Sequence, residues 1–315
     1  MKQPRQSGDD SEAIKGERIA KVIARAGLCS RREAERLIAA GRVAIDGDTI
    51  ASPALTVLPG QRVTVDGEAL PAAEPTRLWR FHKPEGVLTT ASDPQGRRTV
   101  YDLLPPGLPR LMPVGRLDLN SAGLLLFTND GALKRRLELP ATGWRRRYRV
   151  RVYGRPEAAR LAALAKGVTV EGVDYGPIAA RLDSQSGANA WLTMTLVEGK
   201  NREIRRVCEH LGLTVNRLIR VAYGPFQLGK LAEGALDEVP AKVLREQLGL
   251  GGGATGKAKM SETKPDPAKK GGAKSGWAKA KPRPAKRKSA KPKPTETKPA
   301  ERKQTTAERK RRQER

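Results

Sequence analysis

Gly115-Arg116-Leu117-Asp118-Leu119-Asn120-Ser121-Ala122-Gly123, followed by Leu124-Leu125-Leu126-Phe127 and Thr128-Asn129-Asp130-Gly131, is the densest polar constellation in the larger part of this chain. The apolar run reads as a short buried strand, and the Asn-Asp-Gly segment as the turn that ends it. A lone carboxylate, Asp118, sits between two leucines just before that strand. Taken by itself, an aspartate there reads as a turn or capping residue, because its short side chain bonds readily to nearby backbone N–H groups.

Working outward, residues 79–82, 148–153 and 191–197 carry strand-like apolar patterns, whereas residues 156–166 and 201–211 carry helical ones. Strands and helices that alternate irregularly predict an α+β domain over residues 78–248, built on a mixed, mainly antiparallel sheet. Before it, Ile19, Ile23 and Ala26 share a helical stripe that Gly27 closes, and Ser30 with Glu33 predicts a capping box for a second helix. The period then falls to two, with Val43 and Ile45 leading into Asp46-Gly47, and Val63 and Val65 into Asp66-Gly67, both tight-turn signals. Residues 16–70 therefore predict a small helix-helix-strand module, and residues 71–77, with Pro71 and Pro75, a linker. A flexible N-terminus is expected over residues 1–15. From residue 249 onward the chain is rich in Gly, Ala, Pro and Lys, and too poor in apolar side chains to offset chain entropy, so a disordered polycation is expected.

The charge is lopsided: 61 Lys and Arg against 34 Asp and Glu give a formal net charge of +27 in 315 residues. Residues 251–315 hold 22 basic and 6 acidic side chains, net +16, which leaves +11 on the rest. A surface of this sign attracts RNA, DNA or an anionic membrane by displacing counterions or following the surface potential. Two cysteines, Cys29 and Cys208, and two histidines, His82 and His210, argue against a disulfide framework or a zinc site. Nothing resembles a leader or a membrane span, so a soluble, cytoplasmic protein is expected. No nucleotide-binding glycine loop or cofactor-attachment lysine stands out, and neither cofactor nor metal is expected.

The stretch from Gly115 to Gly131, together with His82-Lys83-Pro84-Glu85-Gly86-Val87, resembles the RsuA/RluB group of ribosomal RNA pseudouridine synthases. The likeness continues in order through Arg146-Arg147-Tyr148-Arg149-Val150, Glu198-Gly199-Lys200-Asn201-Arg202-Glu203-Ile204-Arg205-Arg206 and Leu218-Ile219-Arg220-Val221-Ala222-Tyr223-Gly224-Pro225-Phe226. The first module, with Arg31-Arg32-Glu33-Ala34-Glu35 and Gly41-Arg42-Val43, looks like an S4 RNA-binding domain, which this family commonly carries at its N-terminus.

The resemblance implies isomerisation of uridine to pseudouridine, with Asp118 as the essential carboxylate, acting on the sugar or on the uracil. It implies that Arg205 supplies the cation that keeps Asp118 ionised, and that Tyr148 stacks on the uracil or takes part in removing its C5 proton. Where the group usually has Lys-x-Tyr, this chain has Arg146-Arg147-Tyr148. Arg116 is expected either to fill the space of the flipped base or to clamp a phosphate. Lys83, Lys200, Arg202 and Arg206 are expected on the RNA, as are Lys21, Arg25, Arg31, Arg32 and Arg36 of the first module.

The implied partner is ribosomal RNA or a ribosomal assembly intermediate, most closely large-subunit RNA, bound by a monomer. Small-subunit RNA or tRNA is the alternative target. Two readings of other classes stand beside it: a noncatalytic RNA-binding assembly factor, and a DNA-binding regulator whose first two helices form a helix-turn-helix.

Overall fold

A computed structural model describes residues 16–249. The expected flexible N-terminus over residues 1–15 and the expected tail from residue 250 onward lie outside the described residues.

The N-terminal part has two short helices, α1 (Ile19–Arg25) and α2 (Arg31–Ala39), with six short strands around them. These are β1 (Glu17–Arg18), β2 (Val43–Ile45), β3 (Asp48–Thr49), β4 (Thr56–Val57), β5 (Val63–Val65) and β6 (Glu68–Ala69). Gly27, at φ +86°, turns the chain after α1. Ser30 caps α2 by accepting from the Glu33 N–H at 3.1 Å. The reciprocal arm of the expected capping box is not made, because the Glu33 carboxylate accepts from Arg36 instead, at 2.7 Å. Both Asp-Gly turns form as expected, with positive φ at Asp46, Gly47, Asp66 and Gly67, the conformation that two-residue hairpins need. Ile19, Ile23, Ala34, Ile38 and Val43 form the centre of this part's own apolar core.

The remaining strands are β7 (Leu78–Lys83), β8 (Met112–Val114), β9 (Ala122–Thr128), β10 (Arg146–Tyr153), β11 (Val168–Val170), β12 (Val173–Tyr175), β13 (Ile178–Ser186), β14 (Asn189–Leu196), β15 (Thr214–Tyr223), β16 (Phe226–Gln227) and β17 (Leu236–Glu238). Nine of them form one sheet in the order β13-β14-β10-β15-β9-β7-β17, with β16 on β15 and β8 on β9. Every pairing in it is antiparallel except β9 with β15. The α+β class with a mixed, mainly antiparallel sheet is therefore the one observed.

One face of the sheet is covered along its length, and the other only over β7, β8, β9 and the end of β15. Phe81, Leu125, Phe127, Val150 and Leu192 pack on one side with α5 (Glu203–His210) and α4 (Ala158–Ala163). Leu78, Leu124, Leu126 and Tyr223 pack on the other with α3 (Gly131–Glu138) and α6 (Ala241–Leu248). Strand β9 is buried along its whole length, which explains why its sequence is a continuous apolar run instead of an alternating one. The turn expected at residues 128–131 also starts α3, because Asp130 caps that helix by accepting from the Ala132 N–H at 2.7 Å. Among the described residues no helix is long and apolar enough to cross a membrane.

Candidate active site

The segment between β8 and β9 carries Asp118 and has no regular secondary structure. Its shape is fixed through the five carbonyl groups from Leu117 to Ser121, each of which accepts a hydrogen bond. Leu117 O accepts from the Thr89 hydroxyl at 2.9 Å, Asp118 O from Ser121 N at 3.0 Å and Leu119 O from Gly86 N at 2.9 Å. Asn120 O accepts from Arg205 Nη2 at 2.5 Å, and Ser121 O from Lys83 Nζ at 2.8 Å. Lys83 Nζ also donates to Asp118 O at 3.1 Å and Pro84 O at 2.9 Å. A loop held by so many donors, Lys83, Arg205 and Ser121 of them buried, presents its side chain in one geometry, the pre-organisation that catalysis rewards. The Asp118 carboxylate itself makes no hydrogen bond or ion pair among the described residues and faces a cleft of about 660 Å³.

Lys83 was expected on the RNA, and its burial corrects that reading: it is 0% exposed. It ties the Asp118 loop from within, through the carbonyls of Pro84, Asp118 and Ser121. Burial pushes its ammonium down to about 8, against the upward pull of Glu85 and Asp118.

Arg205 is buried on α5, behind the loop. Its guanidinium donates to the carbonyls of Asn120 and of Val215, the latter at 3.1 Å, and its Nε has no partner. It was expected to pair with the Asp118 carboxylate, but no ion pair within 4.0 Å joins them. Burial lowers its pKa first and Arg202 adds to that, while Asp118 pulls it back up. Arg205 thus holds the loop backbone at Asn120 and does not pair with the Asp118 carboxylate.

Tyr148 lines the cleft from β10 and is 8% exposed. In register it stands opposite Arg220 of β15, which in turn pairs with Gly123 of β9, which pairs with Lys83 of β7. Four central strands thus bring Lys83, Gly123, Arg220 and Tyr148 into one row beside the Asp118 loop. Gly123 has no substitute there: at φ +105° an added Cβ would lie 2.3 Å from Arg220 O.

Of the expected RNA contacts, Arg116 and Arg202 are exposed, line the cleft and make no side-chain bond among the described residues. Lys200 is also at the cleft but pairs with Glu198 at 3.0 Å and lies over the Tyr175 ring. Arg206 is half-buried and outside the cleft lining. On the N-terminal part, Lys21 and Arg25 both pair with Glu17, and Arg36 with Glu33. Arg31 and Arg32 are exposed at the start of α2 with no such pairing.

Three cleft groups escaped the sequence reading of individual roles. Arg220 is 2% exposed; its Nε donates to Leu124 O at 2.7 Å, and its Nη2 is buried without a partner. Its period-two spacing with Leu218 and Ala222, both buried, was the available signal. Arg146, in the place of the usual lysine, lies over the Tyr223 ring and donates to its hydroxyl at 3.1 Å. Glu203 is 3% exposed; one carboxyl oxygen accepts from Lys200 N at 2.8 Å, and the other is buried without a partner. Burial raises this carboxyl to about 7, against the opposing pull of that hydrogen bond.

The comparisons with known proteins agree with this geometry. Residues 77–210 match the family model described as RNA pseudouridylate synthase, and residues 17–63 match the S4 domain. An uncharacterised RNA pseudouridine synthase of Rickettsia prowazekii (strain Madrid E) is 46% identical over 231 residues, covering 73% of this chain and 97% of that protein. The ribosomal large subunit pseudouridine synthase B of Escherichia coli O157:H7 is 44% identical over 248 residues, covering 74% of this chain and 84% of the relative. A crystal structure of a pseudouridylate synthase superposes with a TM-score of 0.52 at 26% identity, covering 73% of this chain and 99% of that one. With its free aspartate on a clamped loop, its S4 match and these relatives, the chain belongs to the RNA pseudouridine synthase family.

Proposed function

We propose that this protein converts a specific uridine to pseudouridine in large-subunit ribosomal RNA, in the cytoplasm, as a monomer that needs no cofactor. Residues 16–70 serve as its RNA-binding module, residues 71–77 as a linker and residues 78–248 as its catalytic domain. The observation that carries the reading is the Asp118 carboxylate, without a partner among the described residues, on a loop whose carbonyls from Leu117 to Ser121 are all held. The relatives named for the large ribosomal subunit support that choice of RNA.

The reaction breaks the C1′–N1 bond, turns the uracil and joins C5 to C1′; the C5 proton leaves and N1 gains one, with no net oxidation. Asp118 acts on the sugar or on the uracil, and either route needs an ionised carboxylate within reach of the nucleotide. The target must swing out of its stack at a cost of a few kcal/mol. Tyr148 supplies an aromatic face for it, and Arg116 and Arg202 are free to hold its phosphates or fill its place. Arg220 and Arg146 line the same cleft and add positive charge to it, which favours negative charge that develops on the uracil as the C1′–N1 bond breaks.

Mapping pseudouridines in ribosomal RNA from a strain lacking this gene tests the reading. It is supported if one large-subunit position reverts to uridine and regains pseudouridine with the wild-type gene. It fails if every position is unchanged.

A further inference from the structure

The strand sequence Arg145-Arg146-Arg147-Tyr148-Arg149-Val150-Arg151 places arginine at every second position. Successive residues of a strand face opposite sides. Tyr148, Val150 and Val152 enter the core, so Arg147, Arg149 and Arg151 leave on the other face, where all three are exposed. Neighbouring strands extend the pattern: Arg151 stands opposite Arg217 of β15, and Thr193 of β14 joins Arg149 to Arg181 of β13. Arg217 and Arg181 are exposed too. Trp191 shares the face, with the Arg149 guanidinium 4.8 Å from its ring centre. Asp183, paired with Arg181 at 2.9 Å, is the acid there.

Structure alone does not account for this surface. Like charges directly opposite one another destabilise a sheet, and neither Arg151 nor Arg217 makes an ion pair or side-chain hydrogen bond among the described residues. Besides Trp191, which Arg149 covers, the face carries Thr193, Thr195 and Ile219 between the arginines.

We propose that this outer face of β13, β14, β10 and β15 is a second RNA-binding surface, which holds the phosphodiester backbone of RNA flanking the target nucleotide. The proposal rests on the RNA-modifying reading above. The guanidinium fork matches phosphate geometry, and an aromatic ring beside it offers a stacking platform. The surface is continuous with the cleft: Arg146 lines the cleft, and Arg145 and Arg147 are exposed at the same end of β10. A bound strand is therefore led from Tyr148 around the start of β10 onto the opposite face. Residues 251–315 are not the occupant, since their net charge of +16 has the same sign.

The test compares the full-length wild type with Arg151→Gln/Arg217→Gln, titrated from 50 to 200 mM salt against a large-subunit ribosomal RNA transcript whose pseudouridine content is mapped in parallel. Losing two phosphate contacts lowers the log-log salt slope by about 1.4–1.8, so the wild type sheds roughly tenfold more affinity than the variant across that range. The variant's melting temperature holds or rises, because the arginine–arginine repulsion is gone. Unchanged slope and Kd overturn the proposal. A Kd loss with a matching fall in melting temperature does so too, since it assigns the arginines to the fold. Loss confined to an acidic polypeptide such as polyglutamate, with RNA binding intact, assigns the face to a protein partner and overturns it equally. If the slope difference appears while the wild type makes no pseudouridine in any RNA, the proposed function fails and the surface stands.

Discussion

Replacing Lys83 with methionine separates the geometry of the Asp118 loop from the stability of the fold. The ammonium is the donor to Pro84 O and Ser121 O, whereas Asp118 O and Leu119 O keep Ser121 N and Gly86 N as partners. One buried and one partly buried carbonyl left bare cost about 2–6 kcal/mol together. Against this, burial holds the ammonium at about 8 instead of its ordinary 10.5, so carrying the charge at pH 7 costs the wild type roughly 3 kcal/mol, which methionine removes. The two effects nearly offset, and the variant is expected within about 3 kcal/mol of wild type at pH 7. The sign of the pH dependence follows. A depressed lysine penalises folding fully below about pH 8, and the penalty fades as pH rises towards 10.5, so wild type gains stability across that window and the variant does not.

Activity is not protected by this offset. A loop loosened by about 1 Å costs on the order of 10²-fold in rate. Single-turnover pseudouridine formation and thermal denaturation, measured on one preparation, read both quantities. A rate within threefold of wild type refutes the assignment of Lys83 as the loop's anchor, and a variant that does not fold refutes the offset.

Two further outcomes follow from buried groups. Because burial raises the Glu203 carboxyl from 4.5 to about 7, the folded state binds more protons than the unfolded one between those values, and wild type loses stability as pH rises through them. Glu203→Gln escapes that loss, so urea midpoints at pH 5 and pH 8 should show the variant gaining up to roughly 3 kcal/mol on wild type; a constant gap would contradict it. Gly123→Ala sets a Cβ 2.3 Å from Arg220 O at a backbone angle suited to glycine, and should cost more than about 3 kcal/mol in a denaturant melt.

Local chemistry carried most of what the sequence made legible. Gly27, Ser30 and the two Asp-Gly pairs mark their turns because each has a conformational preference of its own. The apolar run ending at Phe127 marks a strand buried on both faces. The position of Asp118 followed from a resemblance spanning several segments. What stayed hidden depends on register between strands far apart in sequence. The parallel pairing of β9 with β15 sets Arg220 beside Gly123, and no local pattern encodes that meeting. Burial inverted one charge reading for the same reason: Lys83 ends a strand whose inward face closes over it. Arg205 shows the limit of pairing charges by type, since its guanidinium found the carbonyls of Asn120 and Val215 before it found a carboxylate.

Asp118→Asn keeps the shape of the side chain and removes its charge and basicity. Because the loop is held by its carbonyls, the variant should fold and bind ribosomal RNA as wild type does. Its single-turnover rate of pseudouridine formation should fall by about 10²–10⁴-fold or more. Product formed at the wild-type rate by a verified asparagine variant would mean that the carboxylate is not the catalytic group.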